Sequence, residues 1–505
     1  MLRFFLGWVF CSLILLVNAW SSIETVVDDA FISGRYAAHG AAGHGWVYNA
    51  GQPAVEGFSN ALWTFWLGAT LWLGWDLHTT MVWSGLIFGV FALGALAFAS
   101  QQFLNHHWVA WVPVVLVAVD PHFGVVITNG LESGMYMALL FLCLGLVFFD
   151  DSKHPWILGL LIGLLWATRP EGLVAAFGLV VFGLWKKPLG TWKTWRTPFG
   201  CLCVWAVILT WRISVYGDVL PNTAAAKATG DVWGLWAKNW HYIRPETAFW
   251  SSIVILGLWG AVCAPKDKRT GLLVFLILSS TAIASQVYLW MPGARLLLTP
   301  MALSLLLMTW ALRSYRVRWI GFTAATVLGF YCMFSPLRAR VLRQDQLHSV
   351  VQNNDALEVA KYLSTVLPDG AWVATRDAGV LAYGLGTRVH VAELHPRALT
   401  QQHIDGQDAD PKEYAPKNPE AFIFTTNRKK KSKLYYSMER RVYARRTAKY
   451  RYLGRVYQHY HRYYDVVVRE DVPVSALPPQ WVKNRALVLP VMRAVDESMR
   501  PEEEE

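Results

Sequence analysis

Apolar runs near the length of a bilayer-crossing helix follow one another from residue 4 to about 334, and only beyond that point does charge return in number. About 20 apolar residues are needed to cover the roughly 30 Å hydrocarbon layer. The first run, Phe4 to about Ile23, has that length and follows Arg3, so it reads as a retained helix rather than a cleaved signal peptide. Six further runs lie near 61–75, 82–100, 108–119, 133–149, 156–168 and 171–185, with more beyond. The pattern predicts about ten to twelve spanning helices over 1–334.

Short cationic loops stay cytoplasmic. Lys186-Lys187 with Lys193 and Arg196, Lys266 to Arg269, and Arg313 to Arg318 are such loops, which places 24–60, 217–247, 291–295 and everything after 335 outside. One of the six runs between Asn60 and Lys186 must then fail to cross. The expected one is 108–119, a short run ending at Asp120-Pro121 that suits a half-length or re-entrant piece covered by protein. Residues 335–505 read as a soluble α/β domain, with strands at 371–375, 388–391, 421–425 and 466–468 and a Gly-punctuated turn or helix from Asp377 to Leu385. The fold class is therefore mainly α: a polytopic membrane helix bundle with a C-terminal soluble α/β domain.

Composition agrees: 54% hydrophobic and 16% charged residues, with 27 Trp suited to a membrane interface. The net charge of +11 sits in loops and tail, outside any nucleic-acid-binding motif, so membrane lipid is the expected partner and nucleic acid is not. The six cysteines fall in or at the ends of apolar runs, which argues against a disulfide framework or zinc site. Between Arg428 and Arg462, tyrosines alternate with Arg and Lys, a pattern that suits either a glycan-binding surface or a basic face on anionic lipid.

The chemistry concentrates in 24–60. Asp28 and Asp29 open a short amphipathic helix, where first-turn carboxylates favour the helix N-terminus. Helical spacing puts Asp28, Ile32, Arg35 and His39 on one stripe, and Asp29, Ser33 and Tyr36 on its neighbour. The two acids thus face different surroundings. Gly43 and Gly45 end the helix, and Glu56 to Asn60 lead into the next apolar run.

Asp28-Asp29, Arg35-Tyr36, Gly43-His-Gly-Trp-Val-Tyr-Asn-Ala-Gly51 and Glu56-Gly-Phe-Ser-Asn60 resemble the first external loop of bacterial polyprenyl-phosphate-dependent glycosyltransferases of the GT-C class, close to the actinobacterial terminal arabinofuranosyltransferases. The resemblance extends over most of the chain through Gly130-Leu-Glu-Ser133, Arg169-Pro-Glu-Gly172, Tyr216-Gly-Asp-Val-Leu-Pro-Asn-Thr223 with Lys227, Met291-Pro-Gly-Ala-Arg295 and Asp377-Ala-Gly-Val-Leu-Ala-Tyr383. Ala224-Ala-Ala and Leu296 depart from the family's pattern and leave the donor sugar open.

The resemblance implies transfer of arabinofuranose, or another pentose or hexose, from a polyprenyl-phosphate donor to an envelope glycan or glycolipid, with inversion. It implies an enzyme of the bacterial inner membrane with its active site and C-terminal domain outside. It casts Asp28 or Asp29 as catalytic base and Lys227, Arg295 and Arg35 as cations for the donor phosphate. Glu56, Asn60, Tyr36, Asn222, Arg169 and Glu171 would support the substrate site. Some GT-C enzymes need a divalent cation, so Mg, Mn or Ca is a candidate cofactor, although Asp28, Asp29, Glu56, His39 and His44 match no compact metal motif. Taken singly, each cation also suits a plain interface anchor. Two other classes remain: a transporter of lipid-linked sugars, which would need ionisable groups at mid-bilayer depth, and a non-catalytic envelope or motility-associated scaffold.

Overall fold

The computed structural model describes residues 2–23, 26–149, 154–185, 190–223, 247–285, 295–313, 356–394, 418–427, 446–458 and 462–473, with isolated positions between 319 and 327. In chain order the membrane part holds α1 (Leu2–Trp20), α2 (Asp28–Ala41), α3 (Ala61–Trp72), α4 (Leu77–Phe103), a 3-10 turn (Trp108–Trp111), α5 (Val112–Val119), α6 (Pro121–Thr128) and α7 (Ser133–Phe149). It continues through α8 (Pro155–Thr168), α9 (Gly172–Trp185), α10 (Trp192–Tyr216), α11 (Thr247–Cys263), α12 (Lys268–Ser285) and α13 (Leu298–Arg313). Of these, α1, α4 and α10 are each long and apolar enough to cross a bilayer. On α1, Leu6, Phe10, Leu13 and Val17 are exposed while Cys11, Leu15 and Ala19 are buried, so apolar side chains point both ways. A helix with no polar face has hydrocarbon as its solvent.

The two ends of the bundle differ in chemistry. At one, Arg269 donates to the carbonyls of Gln102 at 3.3 Å and Phe148 at 2.8 Å, and Arg313 donates to Leu104 at 3.2 Å. The basic loops thus gather where α4 and α7 finish. The opposite end carries α2, Glu132, Arg169 and Arg295.

The run at 108–119 does not stop short, as the sequence had suggested. It continues past a 61° bend at Asp120 into α6, and the two pieces together are long and apolar enough to span. Asn18 of α1 donates its Nδ2 to the carbonyls of Ala118 at 3.2 Å and Asp120 at 2.8 Å, and so ties α1 to the break at Pro121. The pair starts near the Arg313 end and finishes where the Thr128 hydroxyl meets Ser22.

The segment that fails to cross is α3. At its start Asn60 bonds Ser33 of α2, and just past its end Leu77 packs on Gly34 of the same helix. Its 12 residues are too few to cross, and Trp46, wedged against Gly40 and Gly68, pins it along α2. The misreading arose because both runs are short and apolar, whereas length past the proline decides between them.

The soluble part begins with α14 over 356–366 and contains β1 (Trp372–Thr375), α15 (Val380–Gly384), β2 (His390–Glu393), β3 (Ala421–Asn427), β4 (Tyr450–Gln458) and β5 (Arg462–Arg469). The sheet order is β2-β1-β3-β5-β4: β1 runs parallel to β2 and β3, and β5 antiparallel to β3 and β4. β4 is new relative to the sequence reading. It lies within the tyrosine-rich stretch, where Tyr450 is buried and donates to Pro419 O, and Tyr452 donates to Asp465. Part of the stretch offered for glycan or lipid contact is therefore sheet.

Helices α4 and α6 approach so closely at Gly85 that a Cβ there would strike the Ile127 carbonyl, whereas Gly271 faces open space. Gly85→Ala is expected to lower stability in detergent by on the order of 1–3 kcal/mol through overpacking. Gly271→Ala should leave it level or slightly higher, because alanine favours a helix interior. Equal unfolding temperatures for both variants would contradict this packing.

Candidate active site

Helix α2 was expected to be amphipathic, but both its faces are covered. Ala30 and Gly34 pack towards Gly130, Met81 and Leu77 of the bundle, while Phe31 meets Tyr383 of the soluble domain with ring centroids 5.7 Å apart. The two stripes read from the sequence face these two hosts.

Arg35 lies on the stripe towards the sheet and is 1% exposed. Its Nε donates to Tyr48 O at 2.7 Å, Nη1 to Ala382 O and to Gly386 O at 3.1 Å, and Nη2 to Asn49 Oδ1 at 3.2 Å and Val389 O at 2.8 Å. A guanidinium has five N–H groups. All are taken by protein acceptors, so the side chain proposed for the donor phosphate is instead a clamp between domains.

Asn49 completes that clamp. Its Nδ2 donates to Val391 O and its Oδ1 accepts from Val391 N, both at 2.9 Å. Because β2 is an edge strand, the amide stands in for the missing neighbour strand. Tyr48 adds a bond from its hydroxyl to Ala378 O at 2.8 Å. Tyr36 turns inward, donating to Val55 O at 2.7 Å and accepting from Gly57 N at 2.9 Å, and so braces the loop.

Asp28, at the start of the same stripe, accepts from Val380 N at 2.8 Å through Oδ1. Burial raises its carboxyl to about 7, helped by Asp377 and Asp29 and opposed by the Val380 and Gly379 N–H groups. It remains half-buried. Asp29 points towards the bundle, within electrostatic range of Arg295.

The hub on the bundle side is Glu132, from the Gly130-Leu-Glu-Ser133 motif. Its Oε2 accepts from Asn60 Nδ2 at 2.8 Å, while Oε1 lies 3.1 Å from Arg169 Nη1 and 3.5 Å from Arg295 Nη1. Burial would raise its carboxyl, but Arg169, Arg295 and Asn60 outweigh that and hold it below the usual range. Arg169 also pairs with Glu171 at 2.5 Å and donates to Ser133 Oγ at 2.9 Å. Its side chain is 5% exposed against 19% for Arg295, so Arg295 is the more open of the two cations.

A second ion pair lies alongside. Glu56 accepts from Arg212 of α10 at 3.0 Å and its carbonyl accepts from Asn222 N at 3.1 Å. Burial lifts Glu56 to about 7 despite Arg212. Arg212 was not foreseen, since a single arginine in an apolar run carries no motif. Lys227 lies outside the described residues. Among the described residues no three His, Cys, Asp or Glu side chains converge to hold a metal ion. His39 instead pairs Nδ1 with Val47 O at 2.7 Å, and burial together with Arg35 pushes it down to about 4.

Below this cluster an apolar groove of about 810 Å³ runs along the membrane part. Its walls include Leu62 and Phe65 of α3, Phe88 and Phe98 of α4, and Met135 and Leu142 of α7. Its upper edge is within one helical turn of Asn60 and Glu132, which bond each other.

No protein-family model and no curated protein matches the sequence. Among solved structures, the chain is similar to the crystal structure of ArnT from Cupriavidus metallidurans bound to undecaprenyl phosphate, with a TM-score of 0.58 and 13% identity over 91% of this chain and 97% of that one. The two chains share a fold. This agrees with the GT-C-like membrane bundle and soluble domain expected from the sequence motifs.

Asn49→Ala should strand the Val391 N–H and C=O and remove one Arg35 acceptor, at a cost of about 2–4 kcal/mol to domain docking. Hydrogen exchange at Val391 is the measurement. Unchanged protection would show that the amide does not hold the edge.

Proposed function

We propose that this protein is a membrane glycosyltransferase that moves a sugar from a polyprenyl-phosphate donor to a hydroxyl of an envelope glycan or glycolipid, with inversion at the anomeric carbon. The observation that carries the reading is the arginine pair, Arg169 and Arg295, held by Glu132 at the head of an apolar groove, with Asp29 of α2 in electrostatic range of Arg295. An isoprenoid tail suits the groove, and its phosphate then lies at the arginines.

Asp28 acts as base. It takes the acceptor hydroxyl proton while that oxygen bonds to the anomeric carbon from the face opposite the phosphate. The carbon–oxygen bond to phosphate breaks, and its electron pair stays on the departing polyprenyl phosphate. Arg295, with Arg169 behind it and Lys227 as a further cation, stabilises that growing charge. A base near 7 suits proton transfer around neutral pH. The likeness to a structure bound to undecaprenyl phosphate supports the donor class. Arabinofuranose is the first sugar to test, on the strength of the loop motifs, in an extracytoplasmic site of a bacterial inner membrane.

Asp28→Asn in full-length protein in nanodiscs, given polyprenyl-phosphoryl arabinofuranose or other polyprenyl-phosphate pentoses and hexoses, should lower kcat by about 10²–10⁴. Asp29→Asn should also reduce turnover, through the Arg295 side of the site. Wild-type turnover should fall as pH drops through about 7, because the base must be ionised. Wild-type rates in both single variants and in the double variant would overturn the enzyme reading in favour of a scaffold.

A further inference from the structure

Docking alone does not explain the surroundings of Asp28. A latch needs the bond from Val380 N to Asp28 Oδ1, and it is served best with no second anion beside that carboxylate. The soluble domain instead brings a second carboxylate, Asp377, into the field of Asp28. Like charges oppose docking, so Asp377 works against the latch it sits in.

Asp377 is also built in rather than incidental. Its Oδ2 accepts from the Tyr464 hydroxyl at 2.7 Å, and Tyr464 is 1% exposed on β5. Its backbone N donates to Thr375 Oγ1 at 3.3 Å, at the end of β1. Two residues on, Gly379 lies so close that a Cβ would collide with the Asp28 carbonyl and carboxyl. The groups facing Asp28 are thus Asp29 on its own helix, the Tyr48 phenol from the following loop, and Asp377 with the Gly379 and Val380 amides from the soluble domain.

We propose that Asp377 is a positioning residue for Asp28, so that the working carboxylate of the site is assembled from both domains and exists only when they are docked. The role of Asp28 as base rests on the function proposed above; the arrangement itself does not. Asp377 disfavours the ionised form of Asp28 and raises its appetite for a proton. The Val380 amide holds Oδ1, and on the proposed function Oδ2 is the oxygen that takes the acceptor's proton.

The test uses dicyclohexylcarbodiimide, which reacts with protonated carboxyl groups in apolar surroundings, on the full-length protein in nanodiscs across pH 5–9. The Asp28 adduct is followed by peptide mass spectrometry, with Asp28→Asn as blank. The wild-type midpoint is expected near 7, as burial and Asp377 require. Asp377→Asn should lower it by on the order of one pH unit, and Asp377→Glu should restore it. Tyr464→Phe, which frees Asp377 while keeping the ring in the core, should give a smaller shift in the same direction and covers the case in which Asp377→Asn does not fold. An unmoved midpoint in both Asp377→Asn and Tyr464→Phe would overturn the proposal whatever the turnover. A shifted midpoint supports it, and full turnover by Asp28→Asn in the same preparations would then count against the glycosyltransferase reading alone. If both hold, the rise of kcat with pH should move with the labelling midpoint.

Discussion

Sealing a guanidinium between two domains is tolerable only if every N–H finds an acceptor, and that condition on Arg35 organises the rest of the molecule. Four of its acceptors are main-chain carbonyls, at Tyr48, Ala382, Gly386 and Val389, so the position of the backbone rather than of mobile side chains is fixed. Hydrogen bonds to a charged group contribute roughly 1.5–3 kcal/mol each. One side chain on α2 therefore sets the place of α15 and the β2 edge. Asp28, two turns earlier on the same stripe, necessarily meets the turn before α15. The loop from 24 to 60 is less a loop than a socket.

On the opposite side of α2 the problem is reversed. Glu132, Arg169, Glu171 and Arg295 are buried or nearly so, and charges taken out of water need close partners. Arg169 is held by Glu132, Glu171 and Ser133. Arg295 shares Glu132 at a longer distance and keeps part of its surface open. On the proposed reading, that open face is where a lipid phosphate at the top of the groove pairs with Arg295.

Much of this was legible in the sequence, for identifiable reasons. The helix from Asp28, its end at Gly43 and Gly45, both with positive φ, and the placing of two adjacent acids on different stripes all follow from local rules. The short β-branched or aromatic runs at 371–375, 388–391, 421–425 and 466–468 each overlap an observed strand, at 372–375, 390–393, 421–427 and 462–469. Long-range pairing was not legible in this way. Nothing local says that Arg35 would meet carbonyls some 350 positions away, that Glu132 would gather two arginines, or that Arg212 would leave its apolar helix face to pair with Glu56. The apolar run that fails to cross was misassigned because hydropathy reports solvent preference, and α3 satisfies that preference by lying against α2 and the groove.

Two carboxylates near the site have proton affinities lifted to about 7, Asp28 and Glu56, and their surroundings separate their roles. Glu56 is 3% exposed with both oxygens turned to Arg212, so ionising it serves an internal pair and no hydroxyl from outside can reach it. Asp28 is half-buried, with one oxygen tied to a backbone amide and a flank on the seam between domains. Glu132, held low by two arginines, stays ionised and structural. A base must be both reachable and close to neutral in proton affinity, because an acid held low has little appetite for a proton and one sealed in cannot receive it. Asp28 meets both conditions. On the proposed reading, the seam then becomes the acceptor's approach and the groove the donor's, so a water-soluble glycan and a lipid-anchored sugar meet on α2 without either leaving its own solvent.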